Sequence, residues 1–253
     1  MAERKPLQSE PLYQRAEQVM LERIAGRDWP PGLRLPNEFE LAEEFGVSQG
    51  TIRKALTSLE SRGLIERRPG RGTTVVQATE AESLYAFFRI RNRNGQMLVP
   101  EPGSEALSRR AATAEERRAL QPTSDEVVEL NRVRLNDGRP LVVEQMIFPA
   151  TLFAGIERET PLPTSLYPFL QARFGVSIMT VRESVVAEAA GPDLARQLGL
   201  AAGAPVLAVT RLGYDLRDRC VELRRSWYRT GPDSTYRVDL HRFSPSDRKP
   251  RPE

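Results

Sequence analysis

The chain has 253 residues but only one cysteine, Cys220, and one histidine, His241. A single thiol excludes an internal disulfide framework and any thiolate-clustered metal site. A single histidine excludes a His-rich metal centre within one chain, and a Ser-His-Asp triad would have to use a residue almost at the end. Lysine is nearly as scarce: it stands only at positions 5, 54 and 249, so 34 of the 37 basic residues are arginine. A pyridoxal-phosphate enzyme needs a Schiff-base lysine inside its domain, and none lies between Ala55 and Arg248. No cofactor and no metal are therefore expected. Long apolar runs are missing too. No stretch approaches the roughly 18 unbroken apolar residues of a membrane helix, and Arg4 and Lys5 are not followed by an apolar signal-peptide core. The expectation is a cytoplasmic protein that does not engage a membrane.

What the chain has in abundance is arginine, a permanently charged fork of donors that suits holding phosphates and carboxylates better than acid–base chemistry. The length predicts two domains, and 40% hydrophobic residues predict an ordinary globular core. The net charge is only +3, but its distribution is polarised. Between Arg53 and Arg71 six basic residues (Arg53, Lys54, Arg62, Arg67, Arg68, Arg71) face two acidic ones (Glu60, Glu66). Just upstream, Glu38, Glu40, Glu43 and Glu44 crowd one short segment. An electropositive edge of this kind favours a polyanionic partner, although a solvated charged face would read the same way on charge alone.

Periodicity separates the two. Leu12, Ala16, Val19, Met20, Ile24 and Ala25 repeat at helical spacing before Pro30 and Pro31. A second helix starts after the cap Asn37, with Glu40 completing a capping box and Leu41, Ala42 and Phe45 as its inward stripe, and it ends at Gly46. Val47 packs inward across the turn while Ser48 caps a third helix with buried face Ile52, Ala55, Leu56 and Leu59, ended by Gly63. Helix, short glycine-containing turn, helix is the spacing of a helix-turn-helix, whose second helix enters the DNA major groove. Gln49, Gly50, Arg53 and Lys54 are left facing outward near the start of that helix. Leu64 to Arg68 and Thr73 to Val76 then read as two short strands around the basic turn Pro69-Gly70-Arg71-Gly72, a wing. Helical hairpins also cap cores without touching nucleic acid, but the combination with a basic helix face and an arginine wing points to DNA.

Leu35-Pro36-Asn37-Glu38, Glu40-Leu41-Ala42, Phe45-Gly46-Val47-Ser48, Thr51-Ile52-Arg53-Lys54-Ala55-Leu56, Gly63-Leu64-Ile65 and Arg68-Pro69-Gly70-Arg71-Gly72-Thr73 resemble the winged helix-turn-helix of GntR-family bacterial transcription regulators, over about residues 11–77. The resemblance implies DNA contact by Ser48, Gln49, Gly50, Thr51, Arg53, Lys54, Arg68, Gly70, Arg71 and Gly72. The family commonly has arginine where this chain has Phe39 and Gln49, positions that touch DNA in relatives, while Arg53 and the glycine-flanked Arg71 are retained.

Residues 78–83 are expected to be a linker, and Gln77 to Glu82 contain no proline or glycine. The second half reads as mixed. Strand-like stretches are Glu129 to Leu135, Leu141 to Phe148, Ile178 to Ala187, Val206 to Tyr214 and Val221 to Tyr228, the first two joined by the hairpin turn Asn136-Asp137-Gly138-Arg139. Helical pieces are Ala114 to Leu120, Ser165 to Phe174 and Pro192 to Leu198. Several strands and few helices without regular alternation predict an α+β domain around an antiparallel sheet, here over residues 84–245, before a polar tail at 246–253.

Leu130-Asn131-Arg132-Val133-Arg134, Asp137-Gly138-Arg139-Pro140, Glu144, Phe148-Pro149, Ser165-Leu166-Tyr167, Phe174-Gly175-Val176 and Glu222 with Ser226 and Tyr228 make this half similar to the UTRA effector domain of the HutC subfamily, a chorismate-lyase-like fold. The fold class implied is an α/β multi-domain chain, with an N-terminal winged helix-turn-helix and a C-terminal α+β UTRA domain. The matching positions imply an effector pocket made by Arg132, Arg134, Glu144, Ser165, Glu222, Ser226 and Tyr228. Arg132 and Arg134, two apart on a strand, project from one face and would grip one anionic group. Glu144 would accept from a ligand hydroxyl or amine, and Ser165 would donate to an anion at a helix start. The structural alternatives are an Arg132–Glu144 ion pair, a core Tyr228 and a merely capping Ser165. Two stretches depart from the family's pattern: Arg89 to Pro102, and Gly231 to Tyr236, which lacks the common Asp-Arg-Tyr run. The resemblance implies a homodimeric repressor that binds a palindromic double-stranded operator and senses a small anionic effector. An enzyme using the lyase-like fold is the alternative, and an architectural DNA-binding protein without a ligand is a third reading.

Overall fold

The computed structural model describes residues 10–76, 88–121 and 125–239. The expected linker, the polar tail and His241 lie outside them. Among the described residues no helix is long and apolar enough to cross a membrane, and no group of His, Cys, Asp and Glu is placed to hold a metal ion.

The first part of the chain forms helices α1 (Leu12–Ala25), α2 (Glu38–Phe45) and α3 (Gln49–Ser61), then strands β1 (Ile65–Arg68) and β2 (Gly72–Val75). In α1 the buried stripe is Ala16, Met20, Leu21 and Ile24. Leu12 and Val19, expected in that stripe, are exposed instead. Val19 sits roughly a third of a turn from the stripe's centre, and Leu12 lies in the first turn. The start of α2 is set locally: the Asn37 side chain accepts from the Phe39 and Glu40 amides at 2.9 and 3.0 Å, and Glu40 returns an acceptor to the Asn37 amide at 2.8 Å. Gly46 ends α2 in the left-handed region, φ 63°. Ser48 caps α3 through the Thr51 amide at 3.2 Å, and the face Ile52, Ala55, Leu56 and Leu59 is buried as the spacing predicts. β1 and β2 pair antiparallel from Ile65↔Val75 to Arg68↔Gly72. The segment before α2 joins them, with the Leu35 amide on the Thr73 carbonyl at 2.8 Å and the Val75 amide on the Leu33 carbonyl at 2.9 Å.

The rest of the chain is built on a six-stranded sheet of order β4-β5-β6-β9-β8-β7. Its strands are β4 (Glu101–Ala111), β5 (Glu126–Asn136), β6 (Arg139–Pro149), β7 (Thr180–Ala189), β8 (Pro205–Tyr214) and β9 (Cys220–Tyr228). β4 pairs antiparallel with β5, β5 with β6, and β6 with β9. The β5–β6 turn has Asp137 at φ 48° and Gly138 at φ 69°, the double positive φ that Asp-Gly predicts. Helices α4 (Ala114–Leu120), α5 (Leu166–Phe174) and α6 (Pro192–Leu198) match the three predicted pieces, and a short ribbon pairs β3 (Ile90–Arg91) with β10 (Thr235–Tyr236). β4 was not legible in advance, because Pro102-Gly103-Ser104 reads as a turn. It is an edge strand with a register shift between Pro102 and Glu105, where both residue types are tolerated. Gly103 is required there: a Cβ would meet the Val133 carbonyl oxygen at 2.3 Å.

The described residues group into two compact units, with 165–180 and 213–221 in the same unit as 10–76. In the second unit, one face of the sheet packs Val143 and Val206 with Ala195 and Leu198 of α6. The opposite face carries the polar residues described next.

Candidate functional site

Two constellations stand out. The first is on α3 and the wing. Gln49 and Gly50 are exposed in the first turn of α3, with Arg53 and Lys54 exposed one turn on. Ser48 and Thr51 are occupied by the cap itself, their hydroxyls 2.9 Å apart. Arg53 donates to Glu38 at 2.7 and 2.9 Å, and Arg68 pairs with Glu66 at 2.9 Å. Exposed pairs of this kind contribute little and exchange easily for a stronger anion such as a phosphate. Gly70 and Gly72, at φ 73° and 85°, turn the wing and leave Arg71 exposed at its tip. Two arginines that the sequence reading left without a role support this surface. Arg34 lies against Gly72, where a Cβ would come within 3.0 Å of its Nε. Arg67 ties the wing to α3 through the Thr57 hydroxyl at 3.1 Å and the Arg53 carbonyl at 3.3 Å.

The second constellation is a cavity of about 340 Å³ whose lining includes Gly103, Ser104, Glu105, Arg132, Arg134 and Thr164. Strand register explains why these residues meet. Glu105 lies opposite Arg132, Arg132 opposite Glu144, and Glu144 opposite Ser226, so one row crosses four strands. Arg132 and Glu144 are buried and joined at 3.1 Å, which is the ion pair foreseen as the alternative to ligand binding. Glu144 also accepts from Arg224 at 3.3 Å, and Arg224 pairs with Glu222 at 2.6 Å. Burial alone would raise the Glu144 carboxyl, but Arg132, Arg224 and Arg134 more than offset it and hold it below the usual range.

Arg134 differs from its neighbours. Its guanidinium donates to three main-chain carbonyls, of Pro100 at 2.7 Å, Glu101 at 3.2 Å and Thr164 at 3.3 Å. No carboxylate among the described residues bonds to it. Burial, followed by the positive charge of Arg132, pushes it down to about 10, so at neutral pH it is a buried cation with no direct counter-ion among the described residues. On Arg132, the Nε is buried with no hydrogen-bond partner among the described residues.

The remaining expected residues divide. Ser226 and Glu222 are buried on the same face as Glu144. Tyr228 packs among Ile90, Leu141, Val142 and Val209 and meets Phe88 edge-on at 6.4 Å, a core position. Burial and then Glu144 push its phenol up to about 12. Ser165 is buried at the start of α5, directly after Thr164, but its side chain makes no capping hydrogen bond.

Three further groups were missed. Arg224 sits between Glu222 and Ser226 in the same even-numbered series, so strand alternation already held the signal for it. Ser104 and Glu105 were hidden with β4; Glu105 accepts from the Leu162 amide at 2.9 Å and so fixes the 161–164 loop over the cavity. Arg211 pairs with Glu183, which also accepts from the Tyr236 hydroxyl. The two stretches that depart from the family's pattern thus both contribute: Pro100 and Glu101 to Arg134, and Tyr236 to Glu183.

Comparison with known proteins matches residues 12–75 to the model of bacterial regulatory proteins of the gntR family and residues 98–231 to the UTRA domain. The chain belongs to the GntR family. Its UTRA domain places it in the HutC subfamily, and it is a transcription regulator with a DNA-binding and an effector domain. This GntR regulator is 29% identical over 224 residues to the HTH-type transcriptional repressor NagR of Bacillus subtilis, covering 87% of this chain and 90% of that one. It is 30% identical over 213 residues to the histidine utilization repressor of Pseudomonas putida, covering 79% and 81%. Among solved structures it is similar to the ligand-binding domain of a GntR-family transcriptional regulator from Bordetella bronchiseptica, with 31% identity, a TM-score of 0.55 and coverage of 61% of this chain and 97% of that one. It is also similar to PhnF from Mycobacterium smegmatis, with 28% identity, a TM-score of 0.52 and coverage of 89% and 99%.

Proposed function

We propose that this GntR regulator is a cytoplasmic homodimeric repressor that reads a palindromic operator through α3 and the wing and responds to a small anionic metabolite bound at Arg134. The observation that carries the anionic effector is the Arg134 guanidinium, which lines the cavity as a buried cation bonded, among the described residues, to main-chain carbonyls. An anion supplied by a ligand would provide the missing counter-charge, and the unpartnered Arg132 Nε beside it offers a second donor. Relatives named as repressors support repression. Binding rather than turnover fits the cavity's chemistry. Its lining has no histidine or lysine, and Glu105 already accepts from a main-chain amide.

The test begins with a thermal-shift screen of phosphorylated and carboxylated metabolites against neutral counterparts. Operator affinity is then measured with and without the hit, for wild type and Arg134→Gln. Replacing Arg132 as well would remove one of the two guanidiniums that bind the buried Glu144, so the single variant is the cleaner one. Loss of a charge-assisted pair worth roughly 1.5–3 kcal/mol should weaken effector binding about 10- to 100-fold. DNA affinity without effector should stay at the wild-type value. An Arg134→Gln protein as responsive as wild type would place the ligand elsewhere.

On the DNA side, Gln49 is exposed one residue after the α3 cap, and its paired donor and acceptor match adenine N6 and N7. Exposed Gly50 beside it lets the backbone approach closely. An adenine preference at one position of each half-site is expected, worth roughly 1–3 kcal/mol against other bases. Selection from random DNA by wild type and Gln49→Ala should differ at that position, and identical selected sequences would remove Gln49 from base reading.

A further inference from the structure

On the polar face of the effector-domain sheet, most charges are held by one another. Glu144 is bound by Arg132 at 3.1 Å and by Arg224 at 3.3 Å, and Arg224 also holds Glu222 at 2.6 Å. Two charges stand outside these pairs, one of each sign, and both line the cavity: Arg134 and Glu105. Arg134 gives three N–H groups to main-chain carbonyls. A guanidinium carries five, so two remain for a ligand. Glu105 accepts the Leu162 amide on Oε1 at 2.9 Å. Among the described residues nothing bonds to its Oε2, and no arginine or lysine forms an ion pair with it.

We infer that the effector is a zwitterion, with its anionic group on Arg134 and an ammonium group on Oε2 of Glu105. This rests on the anionic effector proposed above and adds the second charge. Strand register places the two poles within reach of one small molecule. Glu105 stands opposite Arg132 on β5, and Arg134 is two residues farther along that strand. Residues in this diagonal relation have Cβ atoms roughly 7–8 Å apart. Their charged heads turn to different main-chain segments, Arg134 to Pro100, Glu101 and Thr164 and Glu105 to Leu162, so neither satisfies the other. Charge balance then selects the ligand. Arg132, Arg134 and Arg224 stand against Glu105, Glu144 and Glu222, so the face is neutral before anything binds. A ligand carrying an anion alone would leave negative charge in excess where little water reaches it, which is costly. A hydroxyl would also donate to Oε2 but would leave that excess in place. An ammonium group removes it and makes a charge-assisted bond. Glu105 thus uses Oε1 to hold the 161–164 loop and Oε2 to receive the ligand.

A conservative variant separates the ligand role from the structural one. Glu105→Gln keeps a carbonyl oxygen for the Leu162 amide and removes the charge. The probes are matched pairs that differ by an ammonium group in place of a hydrogen: α-amino acids against the corresponding carboxylic acids, and phosphoethanolamine against ethyl phosphate. Isothermal titration of the full chain at neutral pH gives each affinity. Wild type should bind the zwitterionic member of a responding pair about 10- to 100-fold more tightly than the purely anionic one, the range of one charge-assisted bond. In Glu105→Gln this preference should vanish, and the purely anionic member should bind more tightly than it does to wild type, because a repelling carboxylate is gone. A Glu105 that only ties down the loop would leave the preference unchanged in the variant, which would overturn the inference. Arg134→Gln should weaken both members of the pair alike. A wild type that binds the purely anionic member as well as the zwitterion, with both lost in Arg134→Gln, would overturn the zwitterion and leave the anionic effector standing. Binding undiminished in Arg134→Gln, or a wild type that binds no member of any pair, would overturn both.

Discussion

Glu144→Ala is expected to be the most destabilising single substitution in the effector domain, at about 3–5 kcal/mol, because removing one member of a buried ion pair leaves charge behind without compensation. Here Arg132 loses its carboxylate partner, while Arg224 loses one of two and keeps Glu222. Equilibrium urea unfolding of the full chain at neutral pH measures the loss. A change under about 1 kcal/mol would mean that water reaches and solvates these arginines. The same carboxylate predicts the direction of the pH response. Its folded-state pKa lies below the ordinary value, so the unfolded chain binds the proton more readily. The stabilisation is therefore fully present above the unfolded pKa and is lost as pH falls through the folded one. Glu116 adds to this limb: its carboxyl, bound by Arg110 and by the Thr113 amide, is held down to about 2 from the ordinary 4.5. Stability should thus decline steadily between about 4.5 and 2, and Glu144→Gln should flatten the decline.

Leu59→Ala should have the next largest effect. Leu59 is fully buried in the core of α1, α2 and α3, and truncating such a leucine costs roughly 2–5 kcal/mol through lost burial and the cavity left behind. Operator binding should fall with stability, because α3 presents Gln49 and Arg53 only while its inner face stays packed. Leu59→Met, which conserves volume, should cost under about 1.5 kcal/mol and retain binding. If Leu59→Ala unfolds like wild type, the packing assigned to α3 is wrong.

What was legible from sequence shares one property: the interactions that decide it span a few residues. The Asn37–Glu40 capping box, the Ser48 cap, the Asp137-Gly138 turn and the helices after Thr113 and Gly191 all follow from neighbours along the chain, and each stands where the pattern predicts. The chemistry of the effector site was legible as residue types, because strand alternation puts Arg132 and Arg134 on one face before any partner is known.

Partnership was decided by tertiary structure. Arg132 and Arg134 look equivalent along the chain, but the β5–β6 register sets Arg132 against Glu144, whereas Arg134 stands opposite Val142 and is left to carbonyls. Nothing local distinguishes them. β4 was hidden because proline and glycine signal a turn unless the strand is an edge, and being an edge is a property of the sheet. Residue type and spacing determined what this protein carries, while strand order and register, set by contacts tens of residues apart, decided which charges are neutralised and which remain available to bind.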